Sequence, residues 1–305
     1  MLFFRKGADP CLRYVDGRFF LTSTQNTNIQ MRSAATIEGL KNATPNVIFS
    51  DTTAGRNFDF WCALRRYLGG QWYIYYAVAG NGDDNTHRLH VLRGPISASN
   101  PLGAYTYAGS LIPSNFNKWA VDGSILTVND RNYLIFSGKT DDAQWTQCTY
   151  IAPLSSPTTL GGPAVQISCP TLSWEKAATP VQEGPEALIV NGTVHIIYSA
   201  SHCSTDDYAL GRLTLRSEAD PLVASNWVKA SSPVFTKNPS AGVYGPGHHF
   251  MFTRGNEHYF AYHAKSAPGQ GCGDLRTTRV QPFSINGSVP VFPAAVATGV
   301  AVPEP

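Results

Sequence analysis

The chain has 305 residues and a formal net charge of +2, which gives no case for a nucleic-acid partner. Charged residues make up 14% of it, low against the roughly 25% of an average protein; Gly, Asn, Ser, Thr and aromatics fill the gap. No apolar run approaches the roughly 20 residues of a membrane span, so no membrane partner is expected.

Amphipathic helix patterns are scarce, and only Ala63 to Leu68 reads as briefly helical. No Gly/Ser/Pro linker or charge run divides the chain, so residues 1–305 are expected to form one domain, as a monomer. Leu2-Phe3-Phe4 is too short for the apolar core of a signal peptide. The chain therefore reads as a mature domain with a start Met and its export signal trimmed. Six cysteines and the three sequons at Asn42, Asn191 and Asn286 point to a secreted, extracellular protein. The cysteine spacings fit no zinc site.

In chain order, one unit is told five times. Ala8 to Val15, a turn at Asp16-Gly17 and Arg18 to Thr24 make the first copy. The second is Phe60 to Leu68, turn Gly69-Gly70, then Gln71 to Val78. The third is Asp122 to Val128, turn Asn129-Asp130, then a buried strand around Tyr133 to Phe136. The fourth is Gln182 to Val190, turn Asn191-Gly192, then Thr193 to Ser201. The fifth is Gly245 to Arg254, turn Gly255-Asn256, then Glu257 to Lys265. Each is a hairpin whose turn residues tolerate positive φ. A third strand follows each: Ile29–Arg32, Arg88–Leu92, Thr149–Pro153, Tyr208–Leu215 and Leu275–Phe283. Weaker fourth runs are Val47–Phe49, Tyr105–Leu111, Ala164–Ile167, Trp227–Phe235 and Val289–Phe292. Four strands recurring at about 60 residues predict an all-β fold, a five-bladed β-propeller with four-stranded antiparallel blades. A sandwich predicts no such repeat, and a β-helix predicts coils nearer about 20 residues.

In a propeller the innermost strands line the channel, and their entry ends converge on one face. Counting back seven or eight residues from the turns puts Asp9, Asp122 and Glu183 at equivalent mouths, with Cys62 and His248 at the other two. Singly, each acid reads as a turn or strand-edge residue; together they point to one pocket. Three carboxylates there suit glycoside hydrolysis, Ca²⁺ binding or capture of a cationic ligand. Phe60, Trp61 and Trp119 beside the same mouths favour carbohydrate, because sugar faces stack on rings; packing between blades is their other use. Cys203 and Cys272 lie between second and third strands of neighbouring blades and are expected to pair across that interface. Cys11 and Cys62, on neighbouring inner strands, are either buried thiols or a second bridge.

The strings Ala8-Asp9-Pro10, Val121-Asp122-Gly123-Ser124 and Glu183-Gly184-Pro185, in this order and register, resemble glycoside hydrolase family 43. The resemblance spans nearly the whole chain. Gly245 to Phe252 and Arg276 to Phe283, followed by Asn286-Gly287, resemble the exo-acting arabinofuranosidases that trim α-1,5-linked arabinan. It implies an inverting hydrolase that releases arabinose from arabinan or another pentose-containing polysaccharide or oligosaccharide. Asp9 would be the general base, Glu183 the general acid, and Asp122 the residue that orients Glu183 and raises its pKa. His248 would match an axial histidine associated with one structural Ca²⁺, and Arg276 or Arg279 an arginine reaching the sugar; no organic cofactor is implied. Blade two departs from the family, which commonly reads Trp-Ala-Pro-Glu and then a His where this chain has Trp61-Cys62-Ala63-Leu64-Arg65-Arg66. β-Xylosidase, endo-arabinanase and a non-catalytic carbohydrate-binding propeller are the competing readings.

Overall fold

The computed structural model describes residues 4–5, 7–141, 145–300 and 302, with the side chains of 4–5 and 62–65 outside the description. Five antiparallel sheets follow one another along the chain. Blade one is Cys11–Val15, Arg18–Thr22, Asn28–Ala34 and Asn46–Ser50. Blade two is Phe58–Leu68, Gln71–Gly80, Asp83–Arg93 and Thr106–Ser110. Blade three is Ala120–Val128, Arg131–Lys139, Gln147–Ser156 and Val165–Ser168, with Thr159–Leu160 folded back on the third strand. Blade four is Gln182–Val190, Thr193–Ala200, Ala209–Leu215 and Trp227–Lys229. Blade five is Tyr244–Arg254, Glu257–Lys265, Thr277–Asn286 and Val289–Val291.

Each of the five inner strands touches the inner strands on both sides, so the blades close into a ring. The chain start is laced into the last blade, with Phe4 opposite Thr278 and Arg5 opposite Thr277. Hydrogen bonds across that seam covers a sheet edge that would otherwise be open. The hairpin turns behave as their residues require. Asp16-Gly17, Gly69-Gly70, Asn129-Asp130 and Asn191-Gly192 all take positive φ at both positions, while Gly255 alone does so in the fifth.

One apolar cluster fills each blade interface. Ile29, Phe60 and Ile74 pack between blades one and two; Tyr75, Val91 and Phe136 between two and three. Ile135, Ile196 and Leu213 join three to four, Leu210, Phe260 and Phe283 join four to five, and Phe252, Tyr259 and Leu12 close five onto one. The second strands are buried on both faces, which is why they read as continuous apolar runs. Burying one such side chain, for example Phe136, contributes about 1.5–3 kcal/mol.

Two local expectations fail. Ala63 to Leu68 is not helical but the end of the Phe58–Leu68 strand, with Leu64 opposite Tyr75 and Tyr67 opposite Trp72. Six residues are too few to hold a helix, and the Gly69-Gly70 turn delivers a partner strand at once. Phe60 does not face the pocket. It is buried and stacked on Tyr76, 6.0 Å between ring centroids. Neighbouring strand residues point to opposite faces, so only Trp61 of the pair looks inward. Cys203 and Cys272 do pair across blades four and five, and Cys148 bonds Cys169 within blade three. Cys11 is a buried free thiol.

Candidate active site

The site is built from a repeated backbone device. Asp9, Asp122, Gly184 and His248 all sit at left-handed φ of 54°, 58°, 57° and 48°, at the same step before their hairpin turns. In blades three, four and five the ladder register shifts there, between Val121 and Ser124, Glu183 and Glu186, and Gly247 and Phe250. A bulge of this kind breaks the alternation of the strand and re-aims a side chain, here toward the channel. Asp is among the few non-glycine residues that tolerate left-handed φ, though such positions still cost on the order of 1–3 kcal/mol. Glu183 lies one residue before the bend, which is taken by Gly184. A side-chain carbon at Gly184 would lie 3.4 Å from the His248 ring.

Asp9 is surrounded by nitrogen. Its Oδ1 lies 3.3 Å from His248 Nδ1, 3.2 Å from His263 Nδ1 and 3.3 Å from Arg276 Nη1. Its Oδ2 accepts the Thr24 hydroxyl at 2.7 Å. Burial pushes the Asp9 carboxyl up, but His248, Arg276 and His263 together outweigh it and hold it well below the usual range. Glu183 is moved the opposite way, up to about 7. Burial is the largest cause and the Asp122 charge the second, against the lowering pull of His248 and of the Tyr208 hydroxyl that donates to Glu183 Oε1 at 2.8 Å. Asp122, 5% exposed at its side chain, accepts the Gly184 amide at 2.8 Å through Oδ2 and faces His248 Nε2 at 3.8 Å through Oδ1.

His248 thus stands between two carboxylates. Burial lowers its pKa, but Asp9, Asp122 and Glu183 raise it further, and the net direction is up. That bears on Ca²⁺, which takes six to eight oxygen ligands. His248 Nδ1 lies 3.3 Å from Asp9 and Nε2 3.8 Å from Asp122. Among the described residues, the one close cluster of metal-ligand types is His202, Cys203 and Cys272, whose sulfurs are in a disulfide.

Asp9, Asp122, Glu183 and His248 meet at one pocket of about 660 Å³, as expected of them, together with Trp61, Trp119 and Arg276. Trp61 stacks on His87, 4.0 Å between centroids, so the third strand of blade two supports it despite the altered motif. Arg279 is not in the pocket. It is fully buried, and its Nη2 donates to Lys265 O and Ser266 Oγ at 3.1 and 3.0 Å. It comes three positions after Arg276, which precedes the strand, and an odd step along extended chain turns the side chain the opposite way.

Sequence reasoning missed Thr24, Tyr208, His263, Asp59 and Trp145. Tyr208 and His263 stack at 5.5 Å, and Tyr208 reaches Glu183 only because Gly247 leaves room; a side-chain carbon there would lie 2.3 Å from the Tyr208 ring. The Gly-Pro-Gly at 245–247 was the available signal, but it names no partner. Asp59 had a signal too: it is an acid at the opening of an inner strand, three residues before the counted position at Cys62.

Two carboxyl groups pushed to opposite protonation states across one pocket make an acid–base pair, here mounted on a closed five-bladed propeller. The comparisons agree with that class. Residues 4–289 match the model of Glycosyl hydrolases family 43, and the chain belongs to that family. It is 35% identical to an α-L-arabinofuranosidase 43 of Humicola insolens over 79% of this chain and 50% of that protein. It is 33% identical to an extracellular exo-α-(1→5)-L-arabinofuranosidase of Streptomyces avermitilis over 97% of this chain and 63% of that protein. The chain thus spans between half and two-thirds of these two curated relatives. The crystal structure of an α-L-arabinofuranosidase from Lactobacillus brevis superposes with a TM-score of 0.88 at 28% identity, covering 98% of this chain and 97% of the other.

Proposed function

We propose that this pocket hydrolyses terminal α-L-arabinofuranosyl linkages with inversion, releasing arabinose from α-1,5-linked arabinan or arabino-oligosaccharides. The observation that carries the reading is the split between Asp9, held ionised, and Glu183, held protonated up to about pH 7. Asp9 Oδ1 faces His248 and Arg276, with His263 Nδ1, which accepts the Asp9 amide, also close by, while Oδ2 accepts only Thr24 among the described residues. Oδ2 is the oxygen left to take a proton from water. Glu183 gives its proton to the departing glycosidic oxygen, and Tyr208 holds the carboxyl in place. Asp122 keeps the acid protonated and anchors the Gly184 bend.

Asp9 Oδ1, His248 Nδ1, Tyr208 Oη and Glu183 Oε1 form a chain of contacts of 3.3, 3.5 and 2.8 Å. That chain limits the two carboxyls to just under about 10 Å, and the about 6.5–9.5 Å that leaves room for a water lies inside the limit. Secretion is part of the reading, since two disulfides persist only in an oxidising compartment. The test is hydrolysis of linear 1,5-arabinan and of 4-nitrophenyl α-L-arabinofuranoside, followed by product chromatography. Arabinose as the sole early product is the expected result. A ladder of oligosaccharides, or release of xylose from xylo-oligosaccharides alone, overturns the reading.

A further inference from the structure

The pocket holds a fourth inner-strand carboxylate that the acid–base pair does not use. Asp59 opens the inner strand of blade two and lines the same pocket as Asp9 and Glu183. Its backbone is held from both sides. The Asp59 amide donates to Asn26 O at 2.8 Å, and the Asp59 carbonyl accepts from His87 Nε2 at 3.0 Å. One residue on each side, the Gln25 amide donates to Phe60 O at 3.0 Å. The same loop carries Thr24, whose hydroxyl braces Asp9. Asp59 and the base are therefore set at a fixed separation by a short ladder between blades one and two.

The carboxylate itself is left over. Among the described residues no hydrogen bond or ion pair reaches it, although it is half-buried and burial pushes its carboxyl up, with His87 lowering and Asp84 raising it. Asp9, Asp122 and Glu183 all have partners. A half-buried acceptor without a donor gains most from a ligand that brings one. A neutral sugar brings hydroxyl donors. Position decides which sugar unit is in reach. The leaving group departs toward Glu183 on blade four, whereas Asp59 is on blade two, tied by its backbone to the blade that carries Asp9 and so on the side of the unit being released.

We propose that Asp59 is a specificity-determining residue that accepts hydrogen bonds from ring hydroxyls of the released pentofuranosyl unit. This rests on the reading of the pocket as an arabinofuranosidase. Asp59 also has φ 50°, a conformation that favours Asp, Asn or Gly, and that alone would explain an Asp. The substitutions are chosen to separate the two. Asp59→Asn and Asp59→Gly both keep the left-handed bend and differ from Asp59 in what they offer a hydroxyl.

The experiment measures kcat/KM of wild type, Asp59→Asn and Asp59→Gly on 4-nitrophenyl α-L-arabinofuranoside and on its 2-, 3- and 5-deoxy analogues, with Tm as the folding control. Asp59→Gly is expected to lose about 10- to 100-fold on the parent substrate, the range for a lost charged hydrogen bond. On one of the deoxy analogues it should lose no more than about threefold, because that partner is already gone. Near-wild-type kcat/KM in both variants, or an equal loss on the parent and every analogue, overturns the assignment. Should the wild type cleave no pentofuranoside, the proposed function fails by itself. Calorimetry with L-arabinose then decides Asp59: at least about tenfold weaker binding by Asp59→Gly supports it, and equal binding overturns it.

Discussion

Replacing Asp122 with Asn removes a charge and keeps an oxygen for the Gly184 amide that Asp122 accepts at 2.8 Å. The charge is the second cause, after burial, that lifts Glu183 to about 7. A unit charge about 6 Å away at an effective dielectric of about 20 is worth about 3 kcal/mol, or about two pKa units. The raised-pKa His248, 3.8 Å from Asp122, offsets part of that field. The expected fall is about one to two units, and burial keeps Glu183 from returning to the ordinary carboxyl value. Glu183 works only when protonated, so the alkaline limb of the rate profile moves to lower pH. At pH 7 the protonated fraction drops from about half to about 1–10%, a loss of about 5- to 50-fold. At pH 5 the variant should remain within about twofold of wild type. The assay is kcat/KM from pH 4 to pH 9 on an aryl arabinofuranoside. An alkaline limb that does not move refutes the electrostatic role. A uniform loss at every pH would show that Asp122 acts by holding the Gly184 bend and not through its charge.

Asp9→Asn and Glu183→Gln should each lose at least about 10²-fold in kcat while keeping the wild-type Tm, since both side chains face the pocket; near-normal turnover in either removes its assigned role. The first-formed sugar should be β-arabinose, the inverted anomer, seen by proton NMR before mutarotation; transfer of arabinose to methanol would instead indicate a covalent intermediate. Gly247→Ala should cost about 1–3 kcal/mol of stability, because the new methyl would lie 2.3 Å from the Tyr208 ring, and it should also lower kcat by displacing Tyr208 from Glu183; an unchanged melting curve contradicts that packing.

Much of this molecule was legible in one dimension. Turn residues such as Asp16-Gly17 and Asn191-Gly192 mark hairpins because only a few residue types accept positive φ. The doubly buried second strands announce themselves as apolar runs, and the recurrence of the unit implies a ring. Once a ring is granted, equal offsets from the turns bring Asp9, Asp122 and Glu183 to one mouth, because closure maps equal register onto equal position. Side-chain direction was harder to read. Phe60 beside Trp61, and Arg279 beyond Arg276, look alike in sequence, yet strand alternation sends one of each pair into the core. Tyr208, His263 and Thr24 lie far along the chain from the acids they touch, and no local pattern links them. The pKa split was decided by tertiary structure as well. Ionisation depends on burial and on charges brought close by folding, so the carboxyl of Asp9, beside His248, His263 and Arg276, is pushed down, and that of Glu183, desolvated beside Asp122, is pushed up.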